Sequence, residues 1–169
     1  DWDIEVFEQN MPDDTFGFGV VFSDETLDEF LSRDPESYDL IRDEFAYWDD
    51  IIIRYKGEEA RCTGNGFAGC SRLNLLKVLH NRCEALGVKL TFGTHIDVKN
   101  LENDFASSDM ILASDGIGSQ IRDHYKEFFN PSIIQKTNRF TWMGSTRTVE
   151  DFTYFFKDTI HGPICAHTY

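Results

Sequence analysis

The chain has 169 residues, 41% hydrophobic and 27% charged, the balance of a globular protein with a real core rather than of a disordered polymer. Its 30 acidic residues against 16 basic ones leave a formal charge of −14, and so acidic a surface repels a phosphate backbone and excludes nucleic acid as a partner. No run of about 18 apolar residues occurs, so no membrane span is expected.

Ile4–Phe7 reads as a strand ending at Glu8, and Asn10-Met11-Pro12-Asp13-Asp14 breaks it. A loop through Thr15-Phe16-Gly17-Phe18-Gly19 leads to the short apolar segment Val20-Val21-Phe22. Ser23 or Asp24 can cap a helix with Leu27, Phe30 and Leu31 on one face. Pro35 opens a second helix, expected to carry Tyr38, Ile41, Phe45 and Trp48 on one side and to end at Asp49-Asp50. Ile51–Lys56 is a β-branched strand that turns at Gly57-Glu58-Glu59 and pairs with Ala60–Thr63. Gly64-Asn65-Gly66 and Gly69 predict a mobile stretch.

Ser71 then caps a clear helix, and Gly87 stops it. Val88–Phe92 is a strand, which Ile96–Val98 is expected to extend. Asp109–Ser114 reads as a buried strand, parallel to Ile4–Phe7 in one sheet. Asp115-Gly116 turns it into a helix running from Gly118 to about Phe128. After Pro131 the character changes, and Phe140–Thr146, Phe152–Lys157 and Ile164–Tyr169 read as three antiparallel strands. Strand–helix alternation followed by a strand-rich end predicts an α/β protein, α+β overall: a Rossmann-like parallel sheet with helices, then the start of an antiparallel sheet. The chain opens on what would be the second strand of such a unit, and no GxGxxG is present. With no starting Met, the sequence reads as a processed form or as part of a longer polypeptide.

Aromatic residues reach 14%, including 15 Phe, which predicts a thick core or an aromatic-lined pocket. The four cysteines at 62, 70, 83 and 165 fit no zinc spacing and no disulfide framework. They read as reduced thiols of a cytoplasmic protein. Cys70, beside Gly69, reads as a small buried hydrophobe. His161 and His167 have no carboxylate partner or metal spacing in the sequence, so no metal is expected and both read as structural or solvated. No Ser-His-Asp pattern marks a catalytic residue.

Two segments carry more chemistry. Glu8, at the end of its strand, is where a dinucleotide fold places an acid for a ribose hydroxyl, although an exposed Glu after a strand is commonly just solvated. In Asp115-Gly116-x-x-Ser119-x-x-Arg122 the glycine lets backbone approach a ligand and the helix start offers free N–H groups. Spacing alone fits an ordinary strand–turn–helix with Asp115 as a local cap equally well.

That segment resembles the Asp-Gly fingerprint of the para-hydroxybenzoate hydroxylase-like FAD-dependent monooxygenases. Ser71-Arg72-x-x-Leu75-x-x-x-Leu79 is similar to the family helix whose Arg meets the FAD diphosphate, and Glu8 matches its ribose-binding acid. Phe16-Gly17-Phe18-Gly19-Val20-Val21-Phe22-Ser23, residues 138–147 and Ala166-His167-Thr168-Tyr169 resemble the subgroup that hydroxylates salicylyl-CoA or 2-aminobenzoyl-CoA. Violacein-pathway hydroxylases of tryptophan-derived intermediates share much of the pattern.

The resemblance runs from Ile4 to Tyr169 in family order. It implies Glu8, Gly17, Gly19, Arg72, Asp115, Gly116, Ser119 and Arg122 as cofactor-binding residues. It also implies residues 1–130 as part of an FAD-binding domain lacking the first βαβ, and 131–169 as the start of a substrate-binding sheet. The implied reaction uses FAD and NAD(P)H, and a flavin C4a-hydroperoxide attacks an electron-rich ring of a small aromatic substrate, such as a CoA thioester. A homo-oligomer or a fusion to a reductase domain is compatible with it. With the glycine-rich turn and the later Gly-Asp motif outside these residues, the isolated segment is expected to hold no FAD tightly. A reading of another class is a non-catalytic scaffold segment.

Overall fold

The computed structural model describes residues 2–169. The chain divides into two compact units: Pro12–Lys89 and Trp142–Tyr169, with the residues up to Ile4, form one, and Glu5–Met11 with Leu90–Thr141 form the other.

The first unit is built on a five-stranded mixed sheet with the order β2-β4-β3-β6-β7: β2 (Gly19–Ser23), β3 (Ala46–Tyr55), β4 (Glu58–Ser71), β6 (Phe152–Thr159) and β7 (Gly162–Thr168). β4 is antiparallel to both β2 and β3, whereas β6 runs parallel to β3, Ile52 opposite Thr153. A parallel pair needs a crossover, and here the whole chain from residue 56 to 151 separates the two strands. Ile52, fully buried, lies at the centre of the sheet with Ala68, Cys70 and Phe152. Three helices accompany it. α1 (Asp24–Arg33) and α2 (Pro35–Arg42) bury Leu27 and Ile41, and α3 (Arg72–Ala85) packs on β2 and β4.

Local signals set several boundaries. Ser71 Oγ accepts from the N–H of Asn74 at the start of α3, and Gly87, at φ +80°, follows its end. Pro35 opens α2 with its φ already helical. The second helix, however, ends at Arg42, not at Asp49-Asp50, and Tyr47 and Trp48 belong to β3. An edge of β4 is available there: Ala46 pairs with Gly69 and Trp48 with Phe67. Hydrogen bonding to a strand outweighs the weak helical spacing of these aromatic residues, which favour strands.

The glycine-rich stretch is likewise ordered as part of the 14-residue β4. Its glycines serve close approach. A Cβ at Gly69 would come within 3.0 Å of the Trp48 indole, and one at Gly66 would overlap the Asp24 carboxylate.

In the second unit β1 (Glu5–Phe7) pairs with β5 (Lys89–Thr91), the latter beginning at the last residue of the first unit. Ile4 C=O accepts from Lys89 N–H and Thr91 C=O from Glu8 N–H, so the bonds climb both strands in the same sense and the pair is parallel. Three short helices follow, α4 (Leu101–Asp104), α5 (Gln120–His124) and α6 (Lys126–Phe129). The single helix expected from 118 to 128 is thus two, broken at Tyr125. Leu101 is buried, and Phe7 meets Phe105 edge-on at 5.3 Å.

Three expected strands do not form. Asp109–Ser114 joins no ladder among the described residues and so is not parallel to Ile4–Phe7 in one sheet, and Leu112 is 82% exposed. Ile96–Val98 and Phe140–Thr146 are also irregular. An apolar run becomes a strand only where a neighbour supplies its N–H and C=O partners, and no described strand stands beside these three. The mixed α/β class holds, with its parallel pairs confined to β1–β5 and β3–β6.

Candidate functional site

The residues expected at a cofactor fall into two local groups, one in each unit. The first is at the start of α3. Gly17 takes φ +80°, a conformation natural only to glycine. The turn it makes brings the Phe18 C=O to accept from Arg72 N–H at 3.1 Å, and Gly19 pairs with Ser71 in the β2–β4 ladder. A Cβ at Gly19 would stand 3.3 Å from the Cys70 carbonyl oxygen. Gly17, Gly19 and Arg72, more than fifty residues apart in sequence, are therefore adjacent.

Arg72 is exposed, and its guanidinium has no carboxylate partner among the described residues. Other cations of this unit are engaged: Arg61 with Asp50 at 2.9 Å, Lys77 with Asp13 at 3.6 Å, Arg82 with Asp34 at 3.0 Å. A guanidinium without a described carboxylate partner, at the start of a fourteen-residue helix, can receive an anion in a chain otherwise hostile to one.

The second group contains Glu8 and the Asp115–Arg122 turn. Glu8 is half-buried just past β1, and its Oε1 accepts from both the backbone N–H and the side-chain amide of Asn10, each at 2.7 Å. The carboxylate is thereby held in one orientation, with Oε2 available for a hydroxyl donor.

Asp115 is committed to its own turn. Its Oδ1 accepts from Ser119 Oγ at 2.5 Å and its Oδ2 from Ile121 N–H at 3.3 Å, and the Ser119 hydroxyl bond leads the causes that hold its carboxyl below the ordinary Asp range. Gly116, at φ +80°, permits the turn, and Ser119, only 7% exposed, accepts from Arg122 N–H at 3.0 Å as the helix cap. The Arg122 guanidinium donates to the Ile117 carbonyl at 2.9 Å and lies 3.3 Å from Asp123. The expected motif thus folds into a turn whose side chains satisfy one another, with Asp115 as its internal brace.

Burial pushes the Cys70 thiol up, which keeps it protonated and unreactive. His161 sits in the β6–β7 turn, its N–H donating to Thr159 Oγ1. Among the described residues no group of three or more His, Cys, Asp or Glu side chains could hold a metal ion.

His167 belongs to a feature that residue patterns had hidden. Trp48, Phe67, Phe152, Tyr154, His167 and Tyr169 form one aromatic cluster on the sheet. Phe152 lies parallel to Phe67 at 4.9 Å and to Tyr169 at 5.4 Å, and His167 meets Tyr154 edge-on at 5.5 Å. Alternation at 152, 154 and 156 and at 167 and 169 was the available signal. The register that joins Tyr154 to His167 across β6 and β7 completes it. Such a surface can stack a planar ring.

No family model matches the chain. It is 37% identical over all 169 residues to salicyloyl-CoA 5-hydroxylase of a Streptomyces species, covering 32% of that protein. It is 27% identical over 167 residues to 3-hydroxy-4-methyl-anthranilyl-(aryl-carrier protein) 5-monooxygenase of Streptosporangium sibiricum, covering 46% of it. It is 21% identical over 172 aligned positions to protodeoxyviolaceinate monooxygenase of Chromobacterium violaceum, covering 45% of it. The chain is therefore similar along its whole length to three monooxygenases and spans 32% to 46% of each.

Proposed function

We propose that these residues are part of an FAD-dependent monooxygenase that hydroxylates an aromatic ring carried as a CoA thioester, salicyloyl-CoA or 2-aminobenzoyl-CoA, with NAD(P)H as reductant. The observation that carries this reading is the 37% identity to salicyloyl-CoA 5-hydroxylase along the entire chain. Residues 1–130 would then belong to the FAD-binding domain and residues 131–169 to the substrate-binding sheet. The free thiols and the lack of any described helix long and apolar enough to cross a membrane are compatible with work in the cytoplasm.

The side chains present fit parts of the cofactor. Arg72 would pair with the diphosphate, with Gly17 and Gly19 leaving room for it. Glu8 Oε2 would accept from a ribose hydroxyl. The Asp115–Arg122 turn would present backbone at Gly116, where no side chain blocks approach, with Ser119 and Arg122 fixing the turn's shape. FAD supplies the redox and oxygen chemistry when bound. The aromatic cluster of β3, β4, β6 and β7 would stack the substrate ring and keep water from it.

The test uses the complete polypeptide that contains these residues. It is expected to keep flavin through dialysis and to oxidise NAD(P)H when salicyloyl-CoA or 2-aminobenzoyl-CoA is added, releasing a ring-hydroxylated thioester. A flavin-free protein, or oxidation indifferent to any aromatic thioester, overturns the reading. Turnover of a tryptophan-derived intermediate instead would favour the second reading, which rests on the 21% identity to the violacein-pathway enzyme.

A further inference from the structure

The six rings of the aromatic cluster all belong to the first unit. They lie on the face of its sheet turned away from α1. A Cβ at Gly66 would meet Asp24 of α1, whereas one at Gly69, an odd number of residues along β4, would meet the Trp48 indole. Phe22, which pairs with Ala68 and so shares the Gly66 side, meets Phe30 of α1.

Within the cluster Phe152 stacks on Phe67 and on Tyr169, with 15° and 5° between the ring planes. Tyr169 is 41% exposed, so a further planar ring can add to this stack. Stacking sets the plane of an added ring but leaves it free to rotate within that plane. Fixing the rotation takes a hydrogen-bonding group at the rim.

His167 is so placed. Its ring centre lies 5.9 Å from that of Tyr169 and 6.5 Å from that of Phe152, with the planes tilted by 31° and 27°. An imidazole donates and accepts in its own plane, so its nitrogens act along the rim of the stack rather than across its faces. Tyr154, edge-on at 5.5 Å, braces the imidazole from the side. His167 is exposed, and its imidazole makes no hydrogen bond or ion pair among the described residues.

We propose that His167 is a specificity-determining residue that reads the hydroxyl or amino group ortho to the thioester carbonyl of a ring stacked on Tyr169. The substrate class rests on the function proposed above, whereas the placement of His167 comes from the structure. A neutral imidazole carries one donor and one acceptor nitrogen, so one residue suits both the hydroxyl of salicyloyl-CoA and the amino group of 2-aminobenzoyl-CoA. A ring without such a group leaves the imidazole without that bond and binds more weakly.

The experiment measures Kd by calorimetry for salicyloyl-CoA and for benzoyl-CoA, which lacks the ortho group, on the complete enzyme. Wild type is expected to prefer salicyloyl-CoA about three- to ten-fold, the worth of one neutral hydrogen bond. His167→Phe keeps a ring and removes both nitrogens, and it should bring the two affinities together. His167→Gln restores a donor and an acceptor and should recover part of the preference. Tyr154→Phe and Tyr169→Phe keep their rings and should keep the preference. Should His167→Phe not fold, His167→Leu removes the same nitrogens and is read in the same way.

An equal loss for both thioesters in His167→Phe overturns the proposal, since it marks a packing role. So does a preference that survives the substitution, or one lost in either tyrosine variant instead. If wild type hydroxylates neither thioester, the functional reading fails, and salicylamide and benzamide then decide the role of His167 alone. A preference for salicylamide that disappears in His167→Phe sustains that role, and no preference in wild type overturns it.

Discussion

Arg82 of α3 grips Asp34, the residue joining α1 to α2, through two parallel hydrogen bonds: Nε to Oδ2 at 3.1 Å and Nη2 to Oδ1 at 3.0 Å. The same guanidinium donates to Glu36, and Ser37 Oγ donates to Asp34 Oδ2 at 2.6 Å. A fork facing a carboxylate fixes orientation as well as distance, so this cluster sets the angle at which α2 meets α3.

These bonds, Arg82 foremost, hold the Asp34 carboxyl down at about 2, from an ordinary 3.8. The sign follows from linkage: a depressed carboxyl adds stability that is complete above its unfolded value and disappears as the pH falls through the folded one. Acid titration should therefore remove this contribution between about pH 4 and pH 2. Asp34→Asn should flatten that part of the stability–pH curve, measured by denaturant unfolding. Arg82→Ala should lower the melting temperature more than Arg33→Ala, whose partner Glu29 is an exposed neighbour on the same helix. Equal effects would show that the α2–α3 link contributes no more than a surface pair.

Gly69 sits where β4 is hydrogen-bonded on both sides, opposite Val21 on β2 and Ala46 on β3. A methyl group there would press on Trp48 Cζ3 at 3.0 Å, and the indole is packed in turn against Phe152 and Tyr169. Gly69→Ala is expected to destabilise by about 1–3 kcal/mol through overpacking and to alter tryptophan emission in the folded state. Unchanged stability and emission would mean that the indole has room to yield.

Ser119 serves two neighbours, accepting from Arg122 N–H and donating to Asp115. Ser119→Ala should cost about 1 kcal/mol as a lost cap and let the Asp115 carboxyl rise toward the ordinary range, followed by NMR titration. Threonine keeps the hydroxyl and should restore the low value. An Asp115 carboxyl that stays low in the alanine variant would assign its depression to the backbone N–H groups instead.

Arg72→Ala in the complete enzyme should weaken FAD binding about ten- to a hundred-fold, the worth of a charge-assisted contact, with the melting temperature of the flavin-free protein unchanged. Since the Arg72 side chain is exposed and has no carboxylate partner among the described residues, folding is not expected to depend on its guanidinium. A lowered melting temperature with full FAD affinity would assign it a packing role.

At several caps and turns, residues alone were sufficient. Ser71 and Gly87 bound α3, Pro35 opens α2, and β3 turns back into β4, though at Lys56-Gly57 rather than at the expected Gly57–Glu59, because caps and turns are satisfied within a few residues by backbone geometry and short side chains. The candidate site was legible as motif positions in the same way, since Asp115, Gly116, Ser119 and Arg122 close one turn among themselves. Tertiary structure decided what depends on a partner distant in sequence. Phe45–Trp48 leaves its helical pattern because β4 offers an edge, the glycines of β4 are ordered by Trp48 and Asp24, and Asp109–Ser114 stays irregular beside no described strand. Arg72 meets Phe18, Ser71 meets Gly19, and Tyr154 meets His167, only through tertiary pairing. A strand's hydrogen bonds are made entirely with other strands, so its existence and neighbours are properties of the assembled sheet and not of its own residues.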